Sequence, residues 1–427
     1  MKKLYVIIAL LGIVVSCDQK EETVSVIDPN DYNQYLDVPQ KKEEQSKEAI
    51  TFWSKRLRTD TTGIGNLAPL ASAYTTLFQT SGDVVNLKHA ERLYQKGVEY
   101  SATNKDGFTR SLAHNYISQH RFKEAKELLE DSYKGVSNKH ETELMLFDAY
   151  MELGEYEKAD SMLAKVKNNS DYHYLIRLSK WSDYRGNLDA AIKYMEKARD
   201  IAESRDSDAL KVWTYSNLGD YYGHAGRIKD AYASYIKTLH LEPDNHYVKK
   251  GIAWIAYAAE NDPEEALRIL DAIEKYHKTP DYLLLRAEIA ESQEDMNKAD
   301  SLRQEFLKAV RSPEYGAMYN AYVIEMLAET QPEVALSLAK LEVENRATPE
   351  TYHLLALAQL KAGKKQAALG TIEDYVIGKT YEPTALYHAA LVYKANGLVE
   401  KVAPLKEELL GASFELGPVV TQSIKDL

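Results

Sequence analysis

Apolar residues along most of this chain recur every three or four positions, in paired stretches separated by short turns. The pattern is plainest over 212–245, VWTYSNLGDYYGHAGRIKDAYASYIKTLHLEPDN. Helical periodicity puts Tyr215, Leu218, Gly219 and Tyr222 on one face of a first helix. Gly226 then turns the chain, and Ala231, Tyr235 and Leu239 share the inward face of a second helix that Pro243 closes. The unit is a helical hairpin. Counted through the small residue of each second helix, it recurs at Ala90, Ala125, Ala159, Ala191, Ala231, Ala266, Ala299, Ala335 and Ala368, with Val402 in the tenth place. Successive separations are 35, 34, 32, 40, 35, 33, 36, 33 and 34 residues, a register that chance does not keep. Alanine suits this position because the two helices cross closely there, and a larger side chain holds their backbones apart.

Other positions repeat in the same frame. The inward aromatic of the first helix is Tyr74, Tyr116, Tyr150, Tyr222, Tyr257 and Tyr393, with Ser182, Ala290, Met326 and Gln359 in its place elsewhere. The turn glycine is Gly154, Gly186, Gly226, Gly363 and Gly397, where a positive backbone angle costs least. Asn261-Asp262-Pro263 and Thr330-Gln331-Pro332 turn the chain by placing Pro at the start of the second helix. Two irregularities interrupt the period. Additional residues between Tyr74 and Gly82 predict one more helical turn, and ESRDSD at 203–208 predicts a lengthened helix or a projecting loop. The array spans 49–410, with Ile50, Phe52, Trp53 and Leu57 capping its first unit, and 411–427 forms a closing helix or a tail.

The 34-residue spacing, the Leu-Gly-x-x-Tyr run of the first helix, the Ala and aromatic of the second and the closing Pro resemble the tetratricopeptide repeat. The resemblance implies an all-α, right-handed superhelical solenoid of about ten hairpins whose first helices line a concave groove. Groove positions in that frame are His114, Asp148, Lys180, Asp220, Ile255, Leu284, Glu288, Ile324, Leu357 and Leu391. Arg110, His173, Arg177, Asp183, Tyr184 and His224 neighbour the polar half, whereas Ile255, Leu284, Ile324, Leu327, Leu357 and Leu391 predict an apolar carboxy-terminal half. An apolar strip that the solenoid's core does not need is a candidate partner surface. The peptide clamps of the family use basic and Asn side chains that His114, Asp148, Lys180 and Asp220 do not reproduce, so that mechanism does not carry over.

Residues 1–16 have the anatomy of a signal peptide: Lys2 and Lys3, an apolar run from Leu4 to Val15, then Ser16. The run ends Val-Val-Ser-Cys, which resembles the bacterial lipobox, and Cys17 is the single cysteine of the chain. Lipidation of Cys17 is expected, since no internal disulfide is possible; several acyl chains at roughly 0.8 kcal/mol per CH₂ give stable anchoring. Asp18-Gln19-Lys20-Glu21-Glu22 resembles the acidic export signal of surface lipoproteins of Bacteroidota, which implies a cell-surface outer-membrane protein. An Asp directly after the Cys resembles the enteric retention signal instead, so a periplasmic orientation stays open. Residues 17–48 are polar, with acids and prolines, and predict a flexible tether.

Composition narrows the function further. A formal net charge of -12 and no Lys/Arg-rich block argue against nucleic-acid binding and against an anionic membrane surface as a ligand. Gly378-Lys379-Thr380 fails as a phosphate loop because Glu373 stands where its first Gly belongs. No Gly-x-Ser-x-Gly elbow and no His-Glu-x-x-His pair occurs. Asp220 and His224 lie one turn apart, but two ligands without a third do not make a metal site. Trp181, Trp213 and Trp254 fall in registers where core packing is commoner than sugar stacking. The expectation is a membrane-anchored scaffold, not an enzyme, without a cofactor or metal, which binds a protein or peptide in its groove. The alternatives are a glycan- or peptide-binding lipoprotein of an uptake system, or an outer-membrane assembly accessory.

Overall fold

A computed structural model describes residues 25–57, 63–103, 105–135 and 138–427. The signal peptide and Cys17 lie outside these residues. Among the described residues the chain is all-α, with 23 helices. Helices α1 (Pro29–Leu36) and α2 (Lys41–Ser54) precede ten hairpins. The first five are α3/α4 (Ile64–Ser81, Val85–Tyr100), α5/α6 (Lys105–Ser118, Phe122–Tyr133), α7/α8 (Lys139–Glu152, Tyr156–Lys165), α9/α10 (Tyr172–Tyr184, Leu188–Ser204) and α11/α12 (Asp208–His224, Ile228–Leu241). The next five are α13/α14 (His246–Ala258, Pro263–Ile273), α15/α16 (Asp281–Ser292, Met296–Ala309), α17/α18 (Asn320–Thr330, Pro332–Asn345), α19/α20 (Pro349–Lys361, Lys365–Tyr375) and α21/α22 (Pro383–Ala395, Val399–Gly411). Helix α23 (Ser413–Lys425) follows.

Close helix crossing explains the alanine register. All nine register alanines expose at most 1% of their surface, and Val402 exposes 4%. Five of the six inward tyrosines are buried, and two of them tie their hydroxyls to the preceding hairpin: Tyr150 donates to Glu130 (2.9 Å) and Tyr222 to Glu196 (2.7 Å). The irregular stretch at 203–208 is absorbed as length, since α10 and α11 each run 17 residues. The longer first unit likewise becomes an 18-residue α3 that ends at Gly82 in the left-handed conformation (φ 75°).

The solenoid curls until its successive turns touch. The turn of the first hairpin meets the loop after the sixth, where the Lys278 amide donates to the Ser81 carbonyl (3.0 Å). The turn of the third meets the loop after the eighth: a Cβ on Gly154 would lie 2.7 Å from the Ala347 carbonyl oxygen. The turn of the fourth meets the loop after the ninth, with the Tyr381 ring 2.6 Å from a Cβ on Gly186. Polar side chains fasten the same seam. Lys123 Nζ donates to the Glu344 carbonyl (2.6 Å), and Arg346 pairs with Glu152 (3.4 Å). The turn glycines of the early hairpins therefore answer two demands, a positive φ and a backbone passing close by.

The expected flexible tether over 17–48 is corrected where the chain is described. Residues 25–48 form a strap laid along α12 and α14 on the outer side of the solenoid. The Val26 amide donates to Glu260 (2.7 Å), Tyr232 donates to Asp31 (3.0 Å), and the fully buried Tyr32 donates to Glu265. Asp37 accepts from Tyr276, Gln40 bonds His246 (2.9 Å), and Lys42 pairs with Glu242. The helices consequently begin at Pro29 and not near Ala49. Ile50, Trp53 and Leu57 pack against the core as expected, whereas Phe52 is exposed.

Ala231→Glu, which buries an unpaired charge at a helix crossing, is expected to lower stability by about 3–5 kcal/mol in chemical denaturation. Gly154→Ala and Gly363→Ala meet nearly the same φ (72° and 76°), but Gly363 faces open space. The first is expected to cost about 1 kcal/mol more than the second; equal costs would mean that the turns do not touch.

Candidate functional site

The first helices of the hairpins face inward, and the curled array encloses a lumen. Its largest cavity, about 1000 Å³, lies between α2–α3 and the inner faces of α11 and α13. Hydroxyl and amide side chains such as Ser72, Thr76, Gln79 and Asn245 line it, together with Trp213 and Tyr247. These rings are 41% and 56% exposed, so they present faces to the cavity and not to the core. A neighbouring cavity of about 600 Å³ shares Tyr247 and Lys250 with the first and adds Asp220, Trp254, Glu288 and Tyr322. A third, of about 490 Å³, lies on the seam between turns, with Glu152, Lys180, Asp183, Arg346 and Glu382 in its wall. A fourth, of about 330 Å³, gathers Arg110, His114, His173 and Arg177 from α5 and α9.

Charge in this lumen is shaped by burial. Burial pushes Glu288 up to about 7, with Glu291 adding to it. Burial also lifts Glu382 to about 7 and raises Asp220 and Asp183 above the ordinary carboxylate range. Asp220 accepts hydrogen bonds from Tyr235 (2.7 Å) and Tyr247 (2.6 Å), which oppose that rise. Burial works against the Lys180 ammonium as well, yet Glu152 (2.8 Å) and Asp148 hold it above the usual lysine range. Burial lowers His114 and His173. The lumen is thus a partly desolvated space with acidic and aromatic walls, suited to holding a ligand by side chains and hydrogen bonds.

Residues 224–289 match the family model described as tetratricopeptide repeat. That stretch, part of the fifth to seventh hairpins, is similar to the tetratricopeptide repeat. No curated protein matches its sequence. Solved structures similar to it include the human IFIT1 dimer with m7Gppp-AAAA, at 12% identity and TM-score 0.47, with 77% of this chain and 75% of that one covered. Yeast Tom70 is similar at 14% identity and TM-score 0.40, over 93% and 96%. The STAND protein PH0952 from Pyrococcus horikoshii, with a tetratricopeptide repeat sensor, is similar at 16% and 0.39, over 86% and 55%.

Within this helical array, six expected groove residues reach the lumen or its salt bridges. His114, Lys180, Asp220, Leu284 and Glu288 line cavities, and Asp148 pairs with Arg177 (2.6 Å). Four do not form an apolar groove. Ile255 and Ile324 are wholly buried, Leu357 is 5% exposed, and Leu391 packs partly buried against the same core. For Ile255 the displacement has a local cause. Asp220 stands eleven residues before Ala231, but Trp254 stands twelve before Ala266, because the Asn261-Asp262 turn is one residue longer. Counting back from the alanine therefore overshoots to Ile255, whereas counting forward by 34 from Asp220 reaches Trp254, Glu288 and Tyr322, which all line one cavity. The same step from Trp213 reaches Tyr247 and Asp281.

The remaining candidates also find places. Trp181 packs against the core as expected, Trp254 packs against it on one side and faces a cavity on the other, and Trp213 does not follow the core expectation. Asp220 bonds the two tyrosines while His224 faces Glu415 (3.8 Å), so the two do not act as a pair. Among the described residues no group of three or more His, Cys, Asp or Glu is arranged to hold a metal.

A carboxylate whose folded pKa is raised stabilises the fold below its unfolded value, and that stability is lost as pH rises through the folded value. For Glu288 the window runs from about 4.5 to about 7. Glu288→Gln is expected to be equal to wild type near pH 4 and more stable by about 2 kcal/mol near pH 8 in paired denaturation curves. A pH-independent difference would contradict the burial of this side chain.

Proposed function

We propose that the chain is a membrane-anchored scaffold that holds an extended segment of a protein partner inside its lumen. The observation that carries this reading is the pair of 34-spaced series, Trp213–Tyr247–Asp281 and Asp220–Trp254–Glu288–Tyr322, directed into adjoining cavities. Side chains repeated at one spacing along a curved wall grip a long ligand at several points, which is how helical repeats build extended binding surfaces. The role is binding and not catalysis, and no cofactor enters it. Acidic walls and a net charge of -12 favour a protein over a nucleic acid.

The anchor is a lipidated Cys17 in the outer membrane, with the body at the cell surface or, in the alternative orientation, in the periplasm. Eight residues separate Cys17 from Ser25, so their reach is at most roughly 30 Å. The strap carries that attachment to the outer side of the fifth and sixth hairpins and leaves the lumen unobstructed by the membrane. A second reading, capture of a saccharide, is favoured by the exposed rings of Trp213 and Tyr247 in a hydroxyl-rich cavity of about 1000 Å³.

Metabolic labelling with an alkyne fatty acid is expected to mark the wild-type protein and to fail with Cys17→Ala. Affinity capture from crosslinked intact cells is expected to recover a protein with wild type that is lost with Trp213→Ala/Tyr247→Ala. Recovery of no protein, together with saccharide binding on a glycan screen, would overturn the scaffold in favour of ligand capture.

A further inference from the structure

Helix α23 is two pieces. Gly417 breaks it at φ 77° and ψ 168°, with Pro418 next. Beyond the break, Ile424 is fully buried in the core of the last two hairpins, and Lys394 and Lys406 donate to the carbonyls of Asp426 (2.9 Å) and Lys425 (2.6 Å). Before the break, the chain crosses the lumen to α11, α13 and α15. The Phe414 carbonyl accepts from Trp254 Nε1 (3.0 Å), and the two rings meet edge-on with centroids 6.5 Å apart. Gly223 makes room, since a Cβ there would lie 2.8 Å from the Phe414 ring. Gly417 passes so near Glu288 and Trp254 that it too has no space for a side chain.

One half is therefore fixed to the end of the solenoid, and the other lies on a member of the 34-spaced series. Leu416 and Gly417 are buried, Leu416 with the core of the last hairpins, and they are its firm end. Phe414 and Glu415, which face the lumen, are only half-buried. Glu415 enters a cavity whose wall holds the acids Glu152 from α7, Asp183 from α9, Glu350 from α19, Glu382 before α21 and Glu408 from α22, against Lys180 from α9, Arg346 after α18 and the titratable His224 from α11. Burial raises Glu415, His224 opposes this, and Asp183 adds to it. A carboxylate is thus the poorer choice at this point, and a basic side chain would meet the surrounding acids favourably.

We infer that Ala412–Glu415 is a displaceable occupant of the inner face of hairpins five to seven, and that the segment it stands in for carries an aromatic side chain followed by a basic one. This rests on the scaffold reading and names the chemistry of its partner. The partner's aromatic ring takes the place of Phe414 on Trp254 beside Gly223, and its cation lies where Glu415 now sits. An internal occupant reduces apparent affinity by the fraction of molecules that remain closed.

The test uses the full chain and two fluorescein-labelled peptides, LLGASFELGPV and its Glu415→Lys form, read by anisotropy. Phe414→Ala empties the subsite, and Gly417→Ala displaces the segment while leaving Phe414 in place; circular dichroism checks that both fold. Both variants are expected to bind the lysine peptide about tenfold tighter than wild type does, and to prefer it to the native peptide. Adding Trp254→Ala is expected to abolish the gain. Equal affinity of wild type and both folded variants, or a gain that survives Trp254→Ala, would overturn the proposal. Partner capture from cells could fail while the peptides bind, so the scaffold reading and this one fail separately.

Discussion

Contact between successive turns of the superhelix is the constraint on which the rest of this structure depends. It is made of little: the Lys278 amide on the Ser81 carbonyl, Arg346 against Glu152, and three turn glycines whose missing side chains let backbone or ring approach. Without it ten hairpins make an open groove, in which carboxylates such as Glu288 and Glu382 sit in water. With it they face a partly desolvated space, and burial lifts both to about 7.

The architecture was legible in the sequence because one physical requirement, a small side chain where two helices cross, recurs once per hairpin. All ten register positions are buried as that requirement demands. The lumen was less legible because the groove position is set by the first helix, while the register was counted from the second. A turn longer by one residue in the sixth hairpin moves the inward face from Ile255 to Trp254. Closure was invisible for another reason: the glycines at 154 and 186 have an adequate local explanation in their positive φ, and nothing local distinguishes them from Gly363. The strap escaped notice because its docking relies on Tyr32, Tyr232 and Tyr276 hydroxyls meeting carboxylates, with too few apolar residues to show a period.

The two ends of the described chain do opposite things to the same body. The amino-terminal strap lies along α12 and α14 on the outer side, and only its α2 end reaches the wall of the lumen. The carboxy-terminal segment enters the inner face and rests on Trp254. The proposed binding function is thus concentrated between the inner faces of hairpins five to seven, the same stretch in which the family match falls.

Residue-resolved hydrogen exchange of the Lys278 amide tests turn-to-turn contact most directly, since its hydrogen-bond acceptor, the Ser81 carbonyl, lies five hairpins away in the chain. The account predicts exchange slowed by about 100-fold or more relative to an exposed loop amide, lost on substitution of Gly82, whose Cβ would collide with the Lys278 carbonyl. Exchange at the rate of a free loop in the wild-type protein would mean that the turns are apart, the groove is open, and the lumen does not exist.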